Sequence, residues 1–318
     1  MSDDVTWACA FAPATVGNAA VGFDVLGFAI AGPGDRVTAH RVPMTRTADA
    51  KVGAITGCAL DLPRDPEQNV ATVAALSLLR ACGADFSVVL DIDKGLPLGS
   101  GMGGSAASAV AAVVATNVLL PFPLSRTALL PYALDGEMVA SGARHADNVG
   151  PCLLGGLILC HSVDPPGLVS LPLPCGLLCV LVHPGFRLDT RQARQILAKN
   201  ITLTAHVRQS AHLAAVVAAA FLGDVGLLAQ HLSDEIVEPQ RKQLIPGFDE
   251  AKRAAMAGGA LGCSIAGAGP SIFAWCVGDE TAIRIRDGVT TAFAGAGLRA
   301  DGLISPLPAA GAVVEESG

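Results

Sequence analysis

The sequence predicts a mixed α and β protein built as two domains. Three observations carry that class. Strand-like and helix-like segments alternate along the whole chain. Its 51% hydrophobic content against 15% charged residues supplies material for a large interior. And 318 residues exceed what one typical core organises, while a proline- and glycine-rich stretch, "DPPGLVSLPLPCG", interrupts the pattern near the middle.

The elements follow in order. "TWACAFAPATVGN" starts extended and ends in a turn. "GFDVLGFAI" and "DRVTAHRV" are strands, with "AGPG" between them as a break. Apolar spacing predicts a helix over Asn69 to Cys82, stopped by Gly83. "FSVVLDID" alternates as a half-buried strand does. A glycine loop follows, and a long helix starts at about Ser105. A second helix runs from Ser125 to Ser141, ahead of the polar stretch "GARHADNVGPC". The boundary falls at the proline-rich stretch, giving domains 1–168 and 169–318. Beyond it come a strand, "LLCVLVHP", and helices over Asp189 to Leu197, Thr204 to Leu232 and Pro246 to Met256. The second half closes with the strand pair signalled by "CSIAGAGPSIFAWCV".

Charge and composition exclude several function classes. A net charge of −7 without any basic run argues against a nucleic-acid partner, whose phosphates demand cations. Mean hydropathy is positive, at +0.51. Yet the longest apolar runs, Ser105 to Leu120 and Ala211 to Leu222, are shorter than the roughly 18–20 residues that cross a bilayer. The acidic start "MSDDVTWACA" is unlike a secretory leader. Nine cysteines, without a CxxC pair, read as buried thiols in a reducing compartment rather than as disulfides or a zinc site. A cytoplasmic, membrane-free protein is the expectation.

The densest signal is "GLPLGSGMGGSAASAVAAV", with five glycines between Gly95 and Gly104. Its Gly99-Ser100-Gly101-Met102-Gly103-Gly104 core satisfies GxGxxG. The dinucleotide context fails, because the next acidic residue is Asp135 and no clean second strand precedes it. No GK[ST] follows, so it is not a Walker loop, and the HRD and DFG partners of a protein-kinase loop are absent. Two readings remain. Glycines that permit close approach, ahead of a helix with outward N–H groups, make a phosphate site. The same loop could instead be a tight turn packing a helix on a sheet.

"PLGSGMGGSAAS" resembles the phosphate loop of the GHMP kinases, usually PxxxGLGSSAA, with Met102 and Gly104 as departures. Four further stretches resemble the homoserine kinase family within that group: "APATVGNAAVGFDVLG", "HADNVGPCLLGG" (Gly150 replacing Ala), the pair "DTRQARQIL" and "IVEPQRKQLIPGF", and "IAGAGPSIFA". The resemblance implies an α+β fold, with a ribosomal-protein-S5-like (domain 2-like) N-terminal domain that binds ATP and a ferredoxin-like C-terminal domain. It implies ATP and Mg²⁺, phosphorylation of L-homoserine to O-phospho-L-homoserine for threonine synthesis, and a homodimer.

By the same resemblance, Asn69, Pro97, Gly99, Ser100, Gly101, Gly103, Gly104, Ser105, Gly267 and Gly269 hold the nucleotide. Ser105 and Glu137 hold the metal. Asn18, Asp24, His145, Asp147, Arg194 and Arg241 hold the substrate. The residue types suit a zwitterion: carboxylates for its ammonium, and guanidinium forks for its carboxylate. Arg191 reads as a solvated position. Asp147, Asn148 and Glu137 are the catalytic candidates. Asn148 stands where some relatives carry a basic aspartate, so positioning and electrostatics are the expected main terms, with Asp147 as the rival base. Two alternatives stay open: a GHMP kinase for another small hydroxylated substrate, and a non-catalytic nucleotide-binding regulator.

Overall fold

The computed structural model describes residues 5–164 and 166–318. The acidic residues 1–4 and Pro165 of the expected linker lie outside them. In chain order the first half runs β1 (Trp7–Gly17), β2 (Leu26–Pro43), β3 (Ala50–Gly57), α1 (Val70–Ala81), β4 (Phe86–Lys94), α2 (Gly104–Val118), α3 (Leu130–Ser141), α4 (Ala146–Leu154), β5 (Leu157–Val163) and β6 (Pro166–Leu171). The second half runs β7 (Leu177–Pro184), α5 (Thr190–Gln195), α6 (Leu203–Leu222), α7 (Val225–His231), α8 (Glu238–Arg241), α9 (Phe248–Ala257), β8 (Gly262–Ile265), β9 (Ile272–Val277), α10 (Asp279–Gly295), β10 (Ala300–Pro306) and β11 (Val313–Ser317).

Two sheets organise these elements. The first has the order β11-β1-β2-β4-β3, with β5 paired to β2 and β6 to β5; the second is β10-β7-β9-β8. Every ladder is antiparallel except β3 on β4. α2 threads the first half's core and buries Ala106 through Asn117. Its alanines and valines let α1, α3, β1 and β2 close in on every side. Phe28 of β2 meets Phe273 and Trp275 of β9 edge-on, with centroids 5.4 and 5.1 Å away. One continuous core therefore joins the two halves.

Several expectations change. β2 runs unbroken through "AGPG". Gly32 holds φ +112° there, and the pairing with β1 shifts between Pro13 and Thr15, so the glycines kink the strand without ending it. The single helix expected over Thr204 to Leu232 is two. Gly223 at φ +65° closes α6, and Asp224 accepts from Leu227 N–H to open α7. The helix expected from Ser125 begins as a 3₁₀ turn, Arg126–Leu129, ahead of α3. The polar stretch holds α4 despite Pro151. A division at 168/169 falls inside β6, and β11 carries the C-terminal end back to β1. Cys152, Cys160, Cys179, Cys263 and Cys276 are buried as expected, whereas Cys58, Cys82 and Cys175 are exposed; all nine are free thiols. Among the described residues, no helix is long and apolar enough to cross a membrane.

Candidate active site

A cleft of about 630 Å³ opens between the two halves. Of the residues to which the sequence assigns nucleotide, metal, substrate or catalytic roles, all but Gly269 line it. Gly269 lies behind the loop, its carbonyl oxygen 2.8 Å from where a Cβ on Gly101 would stand. Its contribution is therefore to the loop's shape and not to the cleft wall.

The glycine loop is built for close approach. Gly99, Gly101 and Gly103 hold φ of +60°, +79° and +69°. A Cβ on Gly103 would fall 2.0 Å from Thr15 Oγ1, and one on Gly101 2.5 Å from Ala266 O. Ser271 N–H donates to Ser100 O at 3.1 Å and Leu188 N–H to Gly99 O at 2.9 Å, so segments of the second half pin the loop. α2 opens at Gly104 with Gly103 as its cap, and no side chain takes up its first amides. Beside them Ser100 Oγ is buried, lines the cleft and has no hydrogen-bond partner. Unsatisfied donors at the positive end of a helix make an anion seat.

Behind the loop sits a group the sequence reading missed. Lys94 and Asp35, both buried, are in direct ion-pair contact. Lys94 Nζ also donates to Gly104 O at 2.9 Å and to Ser108 Oγ at 3.0 Å. Asp35 accepts from Ser108 Oγ and from Leu96 N–H. The signal was present: the alternation of β4 places Lys94 on the same buried side as Leu90 and Ile92.

Opposite the loop lies a charged cluster. Arg194 Nη2 donates to both oxygens of Asp24 at 2.6 and 2.7 Å. It also donates to His145 Nε2 at 3.2 Å. That bond leaves His145 Nδ1 to donate to Glu137 Oε1, at 3.2 Å. Burial alone would lower the His145 pKa, but the Glu137 carboxylate, with Asp147 and Asp24 beyond, raises it. Protonating the ring therefore requires Arg194 to release Nε2. Asp147, 1% exposed, accepts from Asn18 N–H at 3.0 Å through Oδ2, while its buried Oδ1 has no partner. Burial, with the Asp24 charge added, pushes its pKa up to about 6.

Arg241 donates to Ala193 O at 3.0 Å and to Gly267 O at 3.1 Å. Burial and the Arg194 charge lower it to about 10, so it stays charged at neutral pH. Both guanidiniums lie 5.2 Å from the centroid of Phe23, a second residue that sequence reading passed over, inside the expected strand "GFDVLGFAI"; the structure places it in the turn ahead of β2, which begins only at Leu26. Asn148 Oδ1 accepts from Thr15 Oγ1 at 3.0 Å. Asn69 lines the cleft, but its side chain caps α1 and donates to Pro63 O. Arg191, read as solvated, also lines the cleft and reaches Ala140 O at 3.4 Å.

The arrangement thus sets an anion seat in one cleft with a cluster of three carboxylates and two guanidiniums. Residues 69–156 match the family model described as the GHMP kinases N terminal domain, and residues 215–295 the one described as GHMP kinases C terminal. A homoserine kinase of Xanthomonas campestris pv. campestris (strain B100) is 48% identical over 300 residues, covering 94% of this chain and 91% of that protein. The chain belongs to the homoserine kinase family of the GHMP kinases. A homoserine kinase of Chlorobium phaeobacteroides (strain BS1) is 43% identical, covering 96% of this chain and 98% of its own. The crystal structure of homoserine kinase from Cytophaga hutchinsonii superposes with a TM-score of 0.93 at 41% identity, over 99% of this chain and 98% of that one. The two-sheet architecture is thus that of the GHMP kinase family, in agreement with the fold expected from the motifs.

Proposed function

We propose that this chain transfers the γ-phosphoryl group of ATP to the side-chain hydroxyl of L-homoserine, giving O-phospho-L-homoserine for threonine synthesis. One observation carries the reading: a helix N-terminus with free amides faces, across one cleft, a paired set of carboxylates and guanidiniums. The first suits polyphosphate, the second an amino-acid zwitterion. Sugars lack the carboxylate that Arg194 and Arg241 would grip, and mevalonate lacks the ammonium that Asp24 and Asp147 would hold.

In this reading the loop Gly99–Ser105 and the first amides of α2 cradle the ATP phosphates, with Ser100 Oγ as a further donor. Gly267, where an added Cβ would stand 3.2 Å from Gly101 O, closes the loop's far side. The carboxylate of homoserine takes the place at Arg194 now held by Asp24, and Asp24 turns to the incoming ammonium, so each charge of the half-exposed pair keeps a partner. Asn18 and Asp147 orient the ammonium end.

Glu137, 3% exposed, and Ser105 both line the cleft and would offer oxygen ligands, which suits Mg²⁺. Held there, such an ion would neutralise charge on the transferring phosphoryl group. The Arg194–His145–Glu137 chain sets the orientation of the Glu137 carboxylate. With no basic aspartate at Asn148, alignment and charge stabilisation supply most of the rate, because a loose transition state demands little proton removal.

A coupled ADP-release assay over homoserine, serine, threonine and mevalonate tests the proposal. Homoserine should give the highest kcat/KM. ATP binding without ADP release from any alcohol would favour a regulator, and turnover of mevalonate alone would reassign the acceptor.

A further inference from the structure

The acceptor site rests on a strained turn. Asn18, Ala19, Ala20 and Asp24 hold φ of +70°, +38°, +63° and +59°. Non-glycine residues keep such angles only where their surroundings over-determine them. Toward the loops, Asn18 does this work: its N–H reaches Asp147, its side-chain amide donates to Gly267 O, and its Oδ1 accepts from Asp24 N–H. At the apex of the turn the holder is Gln209, on α6, whose Nε2 donates to Val21 O at 2.8 Å.

The other end of the same amide is also engaged. Gln209 Oε1 accepts from Glu235 N–H at 3.0 Å. Asp234, just before Glu235, accepts from the amides of Ile236, Val237 and Glu238 and so opens α8, which carries Arg241. The two partners settle which end of the amide points where, since Val21 O can only accept and Glu235 N–H can only donate. A single side chain therefore ties the turn bearing Asp24 to the helix bearing Arg241. The Phe23 ring of that turn sits against both guanidiniums, so a shift at Val21 reaches Asp24, Arg194 and Arg241 together.

We propose that Gln209 is a positioning residue for the amino-acid acceptor, acting on the carboxylate-binding arginines through the 18–24 turn. It does not line the cleft and does not touch the nucleotide loop. This rests on the homoserine reading of the cleft and goes beyond it by naming what fixes the geometry.

The test uses Gln209→Glu and Gln209→Leu in the full-length chain. Glutamate is isosteric and can still accept from Glu235 N–H, but it cannot donate to Val21 O; leucine loses both bonds. The KM for homoserine should rise about three- to tenfold in Gln209→Glu, and at least as much in Gln209→Leu, the range of one lost hydrogen bond. The KM for ATP and kcat should stay within about twofold, the signature of lost acceptor binding alone. A merely structural role would instead move both KM values together and lower Tm in Gln209→Leu while sparing Gln209→Glu. That pattern, or an unchanged homoserine KM in both folded variants, overturns the proposal. Wild-type protein that releases no ADP with homoserine would overturn the underlying reading instead, and the two failures are separated in one experiment.

Discussion

At Asp147 burial and charge act against ionisation, and the consequence is measurable. Its carboxyl is raised to about 6 in the folded chain, above the ordinary carboxylate range. Between about pH 4 and 6 the folded form keeps a proton that the unfolded chain has lost, so stability falls as pH rises through that window and levels off above it. Asp147→Asn should therefore gain on wild type at pH 7 relative to pH 4, by on the order of 2–3 kcal/mol in paired denaturation curves. In the proposed reading the substrate ammonium pairs with the ionised form, so kcat/KM should climb with a midpoint near 6 in wild type and lose that limb in the variant. If kcat survives in Asp147→Asn, the carboxylate binds substrate; a kcat loss of about 10²–10⁴ would make it the general base. Arg241→Lys keeps the charge but gives up the fork, and should raise the homoserine KM about tenfold or more. The charged residues were legible because their types and order matched a motif. Phe23 and Gln209 were not, since an apolar ring in a turn and an amide on a long helix carry no chemical signal until tertiary contacts assemble.

At the scale of elements, the loop and α2 form one device. Gly101→Ala would drive a methyl group against the carbonyl oxygens of Ala266 and Gly269, at 2.5 and 2.8 Å, with φ at +79°. Backbone cannot yield as a side-chain tip can, so the loop must shift away from the second half. The KM for ATP should rise about tenfold or more in a steady-state assay, while the KM for homoserine changes little. Lys94→Met leaves Asp35 buried without its cation, and should cost about 3–5 kcal/mol in a denaturant titration. Elements with a clean period were readable: α1 starts at Val70 under an Asn69 cap, and β4 alternates as its sequence does. Glycine and proline misled in both directions. They kink β2 and sit inside α4 without ending either, yet at Gly223 a glycine does close a helix, because Asp224 stands ready to cap the next. β3 and β6 were missed because each leans on a neighbouring strand rather than on its own pattern, and α10, β10 and β11 were missed because the reading closed at the β8–β9 pair.

For the whole molecule, the cleft exists because two sheets share a core. Phe28, Phe273 and Trp275 lock β2 to β9, and β11 returns from the C-terminal end to β1. Heating should give one cooperative transition rather than two. Phe28→Ala should lower its stability by about 3–5 kcal/mol through the cavity left behind, without splitting the transition. This long-range closure could not be read from a sequence whose proline-rich middle suggested a simple division. The central claim is that triphosphate and zwitterion meet in this cleft. A crystal structure of the protein with a non-hydrolysable ATP analogue and homoserine tests it most directly. The terminal phosphate should lie on the amides of Gly104 to Ala106, with the amino-acid carboxylate on Arg194 and Arg241. Either molecule bound outside this cleft, or homoserine seated with its carboxylate away from both arginines, would contradict the account.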